Sequence, residues 1–179
     1  MRWYVDMKDL KHSLPQMGIL LAVAVLAAYV EMMIPVDLII PGIKLGLANC
    51  VILFILYRAG FKPALIISIL RTVIIALLFT SPAVLIYSLS AAAVSLIVMT
   101  LLKKSEHFTI YGISAAGGMV HNMTQLFIAG VIMLGMGAGF ERIVFFYLPV
   151  LIISGIAAGL FNAFIAGILI KRIPNKEDI

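Results

Sequence analysis

The sequence predicts an all-α integral membrane protein, a six-transmembrane-helix bundle, and three observations predict it. Hydrophobic residues make up 64% of the chain and charged residues 12%, against about 45–50% and about 25% in soluble domains. With a mean hydropathy of +1.19, too little polar surface exists to cover a water-soluble globule, and the apolar excess must face lipid. A spanning helix needs about 20 apolar residues, so 179 residues accommodate six spans joined by short loops and leave no room for a soluble enzyme domain. The third observation is that the basic residues gather at alternate ends of the apolar runs.

The elements follow in chain order. Residues 1–13 form a polar, charged cytoplasmic segment, and Leu14–Met33 is the first span; comparable runs follow it, so it reads as a bundle helix and not a signal peptide. From Ile34 to Asn49, Pro35, Pro41, Gly42 and Gly46 break helical continuity and give a Pro/Gly-rich loop between the first two helices. Leu47–Tyr57, up to Arg58, is too short to cross alone. Either the second helix begins near Pro41, or a loop buried in protein fills the remaining depth. The third helix is Pro63–Thr80, with proline in the first turn, where its missing N–H costs nothing. A Ser81-Pro82 turn leads into Ala83–Leu102, which ends at Lys103-Lys104. The fifth helix is Thr109–Leu134, and Gly135–Gly139 with Glu141-Arg142 make the next loop. The sixth is Phe145–Ile170, closed by Lys171-Arg172, with Pro149 at a first-turn position or a kink. The membrane domain is thus 14–172, followed by a cytoplasmic tail, 173–179.

With the amino terminus inside, Arg2, Lys8, Lys11, Arg58, Lys62, Lys103, Lys104, Lys171, Arg172 and Lys176 all fall at the cytoplasmic side, ten of the thirteen Lys and Arg. The expectation is a multi-pass protein of the cell membrane with both termini cytoplasmic. The net charge of +5 is then a topology signal, and no nucleic-acid partner is needed to explain it. The one cysteine, Cys50, excludes a disulfide framework and reads as a small buried hydrophobe. No metal and no cofactor is expected.

Polar residues inside the spans carry the functional signal. Arg71 lies nine residues beyond Lys62, about 13 Å along the helix, near mid-bilayer. An arginine there needs a partner or a water-filled cavity. The one acid within a helical run is Glu31, placed by the count near the outer end of the first helix and away from the depth of Arg71. His121 and Gln125 are four apart on one helical face, with Asn122 beside them, also near mid-depth. Arg71 with this polar face would suit an anionic ligand; the alternative for Asn122 and Gln125 is hydrogen bonding between helices, and for His121 a structural role. Lys44, in the glycine-rich loop with Asn49, either closes over a ligand from outside or anchors the loop at the headgroups. Ala24 and Ala28 form an Ala-x-x-x-Ala pair that allows close helix approach.

Pro41-Gly-Ile-Lys-Leu-Gly-Leu-Ala-Asn49, the Arg71 helix, Ser81-Pro82 with Tyr87-Ser88, and His121-Asn122-x-x-Gln125 occur in an order that resembles the membrane family called heptaprenyl diphosphate synthase component I, or the Gx transporter family, over roughly residues 15–172. That family in turn looks like the S components of energy-coupling-factor transporters: six-helix proteins that capture a small molecule from outside and associate with a transmembrane coupling protein and two ATPase subunits. The resemblance implies an S-component-like fold, a substrate site at Lys44, Asn49, Arg71, His121, Asn122 and Gln125, and contact with the coupling protein through Ala24 and Ala28. The enzymatic name finds no support in the residues. Prenyl diphosphate synthases hold magnesium through DDxxD carboxylates, and the chain has neither that motif nor a GxxxxGK[ST] phosphate loop. Two other readings stay open: a membrane accessory of isoprenoid or quinone synthesis that binds a prenyl diphosphate, and a ligand-free structural subunit of a membrane complex.

Overall fold

The computed structural model describes residues 14–34, 45–134 and 140–173, with backbone alone at 133–134 and 140–145. Among the described residues six helices follow one another: α1 (Leu14–Met33), α2 (Leu47–Arg58), α3 (Phe61–Phe79), α4 (Pro82–Lys104), α5 (Ile110–Leu134) and α6 (Phe140–Arg172). Among the described residues four stretches are helical, long and apolar enough to cross a membrane: Leu14–Met33, Phe61–Phe79, Pro82–Lys104 and Phe146–Arg172. The helices are those of a membrane bundle, and the two that depart from the simple span do so for different reasons.

α2 has 12 residues, about 18 Å of helix, and is apolar all round. Every residue from Cys50 to Leu56 is buried, the pattern of a helix enclosed by others; α1, α3 and α6 all pack on it. Leu45 and Gly46 are not helical, so α2 does not run on continuously from Pro41; of the two sequence alternatives, the one starting the helix there is set aside. Residues Pro41–Lys44 themselves lie outside the described residues. α5 has 25 residues, ample length for a span. Its hydropathy is lowered by Ser114, His121, Asn122, Thr124 and Gln125; all of these but Thr124 line the interior spaces described below.

α6 corrects the sequence reading. It begins at Phe140 and runs 33 residues, so Glu141 and Arg142 belong to the helix and not to a loop. Pro149 is therefore interior and not in the first turn. Such a proline is tolerated in a membrane helix when neighbouring helices re-satisfy the freed backbone groups. α5 packs on α6 more closely than any side chain permits. A Cβ on Gly118 would stand 2.1 Å from the Gly155 carbonyl oxygen, and one on Gly159 2.3 Å from that of Ser114. Small residues at such crossings allow backbone-to-backbone contact. On the other side of α5, the Ser95 hydroxyl donates to the Gly117 carbonyl at 2.9 Å and ties in α4.

The hydrophobic core fills one end of the bundle, where Leu53, Ile55, Leu56, Ile67, Leu96 and Ile113 are completely buried. The same end carries the basic rim. The Arg58 guanidinium donates to the carbonyls of Ile170 and Ile173, satisfying the last turn of α6. Lys103 Nζ donates to the Leu56 carbonyl at 2.8 Å and the Tyr57 carbonyl at 3.5 Å and lies 4.6 Å over the Tyr57 ring. Orphan carbonyls and the negative end of the helix dipole both favour a cation there. Lys103→Met is expected to lower stability in detergent by about 2 kcal/mol, from one charge-assisted hydrogen bond and one cation–π contact. Thermal unfolding measures it.

Outward, the helices present apolar side chains such as Ile19, Leu26, Leu77, Ile86, Leu101 and Ile153, all strongly exposed. That is a surface suited to lipid.

Candidate functional site

At the end of the bundle away from the basic rim, the six helices part around a cavity of ≈ 260 Å³. Its mouth is set by the end of α1 (Met32, Ile34), the start of α2 (Gly46), the end of α3 (Thr80) and the start of α4 (Val84). Its depth is lined by Asn49, Arg71, Ser88, His121, Asn122, Gln125 and Asn162. Five of the six residues expected from sequence at a substrate site thus meet in one space; Lys44, the sixth, lies outside the described residues.

The backbone at the start of α2 explains part of this convergence. Gly46 takes a left-handed conformation, φ 74°, and a Cβ on it would stand 2.8 Å from Asn162 Nδ2. Both the torsion and the space demand glycine. Its N–H donates to Glu31 Oε1, which ties the end of α1 to the start of α2. Asn49, in the first turn of α2, is thereby aimed inward, and its Oδ1 accepts a 3.5 Å hydrogen bond from Arg71 Nη2.

Arg71 stands eleventh in a 19-residue helix, about 15 Å from its start. It is half-buried, its open part facing the cavity, and its Nε is buried without a hydrogen-bond partner. Glu31 lines the same cavity, and its carboxylate acts electrostatically on the guanidinium. Glu31 stands near the end of α1, where the sequence count puts it, and it is the cavity, not a shared depth, that brings it together with Arg71. The cavity extends from mid-bundle to the end of α1, so the two charges share one low-dielectric space.

The polar face of α5 divides in two. Asn122 Nδ2 donates to the Leu151 carbonyl at 2.9 Å and to Ser154 Oγ at 3.3 Å, so this residue fastens α5 to α6 as well as lining the cavity. Gln125 Nε2 reaches Ser88 Oγ on α4 at 3.4 Å. His121 borders both the cavity and a smaller void of ≈ 20 Å³ beneath it, a volume with room for about one water. Asn49 and Asn162 border both as well, and Ser68, Ser95 and Ser114 line the void alone.

Sequence reasoning missed two members. Asn162 is 4% exposed, with its Oδ1 unpartnered. It is the one amide side chain in all of α6, and that was the available signal. Glu31 sits near the end of α1, as its count implies; the count does not show that the cavity reaches it.

The alanine pair faces inward in this arrangement. Ala24 is fully buried and Ala28 is 8% exposed. Ala24 sits in the core cluster and Ala28 lines the cavity. Both let α1 approach α2 and α3, and neither offers a face to an outside partner in this arrangement. Cys50 is buried, its thiol donating to the Leu47 carbonyl at 2.9 Å. Among the described residues no group of three or more His, Cys, Asp or Glu is placed to hold a metal ion.

Taken together, these features define a helical membrane protein that encloses a polar cavity within an apolar bundle. The chain matches the family model described as "Heptaprenyl diphosphate synthase component I" over residues 20–169, and it belongs to that family. No curated protein and no solved structure matches it.

Proposed function

We propose that this protein is the substrate-binding subunit of an energy-coupling-factor transporter, capturing a small molecule with an anionic group from outside the cell. The observation that carries this reading is Arg71. A guanidinium lies at mid-bundle, opens onto a cavity, and leaves Nε buried without a partner. A buried donor left unpaired is costly, and an anionic group supplies the missing acceptor. Asn49, Gln125, Asn162 and His121 would orient the ligand. The work is recognition, with no bond made or broken. The positive-inside rule puts the rim of Arg58, Lys103, Lys171 and Arg172 in the cytoplasm and the cavity mouth outside. Release inward would require rearrangement against a transmembrane coupling protein energised by two ATPase subunits.

The family description also suggests a part in prenyl diphosphate synthesis. The cavity fits that ligand poorly. Glu31 offsets Arg71, so the described lining offers little net charge to a diphosphate, and ≈ 260 Å³ is below the usual range for drug-sized ligands, about 300–1,000 Å³, and short of a seven-unit prenyl tail.

The test is affinity purification of the tagged protein from its own membrane in mild detergent, with mass spectrometry of what accompanies it. A membrane coupling protein and two ATPases are expected. A prenyl synthase in their place, or no companion at all, would sink the transporter reading.

A further inference from the structure

Within the capture reading above, on which this step rests, we infer that the substrate is a small zwitterion: its acid group sits on Arg71 and its protonated amine on Glu31. The cavity holds one described cation and one described anion, both on its wall. They act on each other through the field and not through a shared hydrogen bond; Arg71 donates to Asn49, and Glu31 accepts from the Gly46 N–H. Two opposite charges held apart across a low-dielectric space attract a ligand that carries the complementary pair. A ligand with a negative charge alone would meet Arg71 favourably and Glu31 unfavourably.

The remaining chemistry agrees with this class. Arg71 Nε is a buried donor without an acceptor, matched by a carboxylate or similar acid. Asn162 Oδ1 is a buried acceptor without a donor, matched by an N–H. Glu31 commits Oε1 to Gly46, and a carboxylate has further acceptor sites on its second oxygen. Donor and acceptor vacancies thus occur together, which a simple anion does not satisfy. The Glu31–Gly46 bond also makes the acid a structural tie, so an arriving amine adds to an existing contact and does not replace it. The cavity volume limits the ligand to the scale of an amino acid or a similarly compact zwitterion.

The experiment is equilibrium dialysis of the purified full chain, in detergent, against a defined mixture. The mixture holds the twenty common amino acids, the matching 2-hydroxy acids and the matching decarboxylated amines, with bound species read by mass spectrometry. Wild type, Glu31→Gln and Arg71→Gln are run together, each checked for folding by thermal unfolding. At least one amino acid is expected to be retained about 10-fold or more over its hydroxy acid and its amine, with that retention lost in both variants. Retention of hydroxy acids at or above the amino-acid level, or its increase in Glu31→Gln, overturns the zwitterion and leaves capture of an anion standing. Retention of nothing from the mixture also overturns it. A parallel dialysis against a water-soluble cell extract then decides the wider reading: an enriched species of another charge class keeps substrate capture, and no enriched species ends it.

Discussion

Arg71→Met is expected to abolish ligand retention while leaving the unfolding temperature unchanged or raised. The two readouts together separate a binding charge from a structural one. In the apo protein Arg71 is poorly rewarded: its hydrogen bond to Asn49 is 3.5 Å long and Nε has no partner, where a sound N–H···O bond measures about 2.7–3.2 Å. A partly desolvated charge with so little compensation costs folding free energy, and methionine fills similar space without it. A ligand acid on the guanidinium is worth at least one charge-assisted pair, so its loss lowers affinity about 100-fold or more. If the variant instead unfolds earlier by the equivalent of about 2 kcal/mol, Arg71 is an internal strut and the structural-subunit reading gains. The double variant Glu31→Gln/Arg71→Met removes any penalty from an acid deprived of its counter-charge.

Gly118→Ala is expected to be among the most damaging alanine substitutions at the described glycines. Its Cβ would stand 2.1 Å from the Gly155 carbonyl oxygen, and Gly155→Ala would bring a Cβ 2.6 Å from that of Gly118. Both obstacles are helix backbone, so relief requires separating α5 from α6, at a cost of about 3 kcal/mol or more. Two neighbours serve as controls. A Cβ on Gly117 meets the Met99 side chain, with Sδ at 2.5 Å, a flexible group that can turn aside. A Cβ on Gly167 meets nothing within 4 Å. Thermal unfolding of the four alanine variants should rank 118 and 155 well below 117, with 167 near wild type. Equal melting for 118 and 167 would mean that the helices do not cross so closely.

Much of the architecture was legible because its signals are local. The first helix was bounded correctly from its apolar run, and α3, α4 and α5 began and ended within about two residues of expectation. Pro63, Ser81-Pro82 and the paired lysines are punctuation that acts through the nearest turn. The start of α6 was not legible, because Glu141 and Arg142 look like loop residues to any reading of polarity. Among candidate site residues, Arg71, His121 and Gln125 stood out as costly polar groups in apolar runs, and depth counting placed them together. Glu31, rightly placed by its count near the end of α1, joins the site because the cavity is elongated along the bundle, a property of packing that no single helix records. Asn162 was overlooked though equally conspicuous. Small residues four apart, such as Ala24 and Ala28, report close approach by some helix, without saying whether it belongs to another chain or to this one.

The cavity wall divides by origin. Glu31, Asn49 and Arg71 come from the first three helices, whereas Ser88, His121, Gln125 and Asn162 come from the last three. The second group is bound tightly within itself by the glycine crossing of α5 on α6 and by the Ser95 tie from α4. A molecule seated in the cavity therefore acts as a rivet through a seam, holding an amino-terminal leaf to a carboxy-terminal one. Occupancy adds its own cohesion to the fold in proportion to the logarithm of ligand concentration.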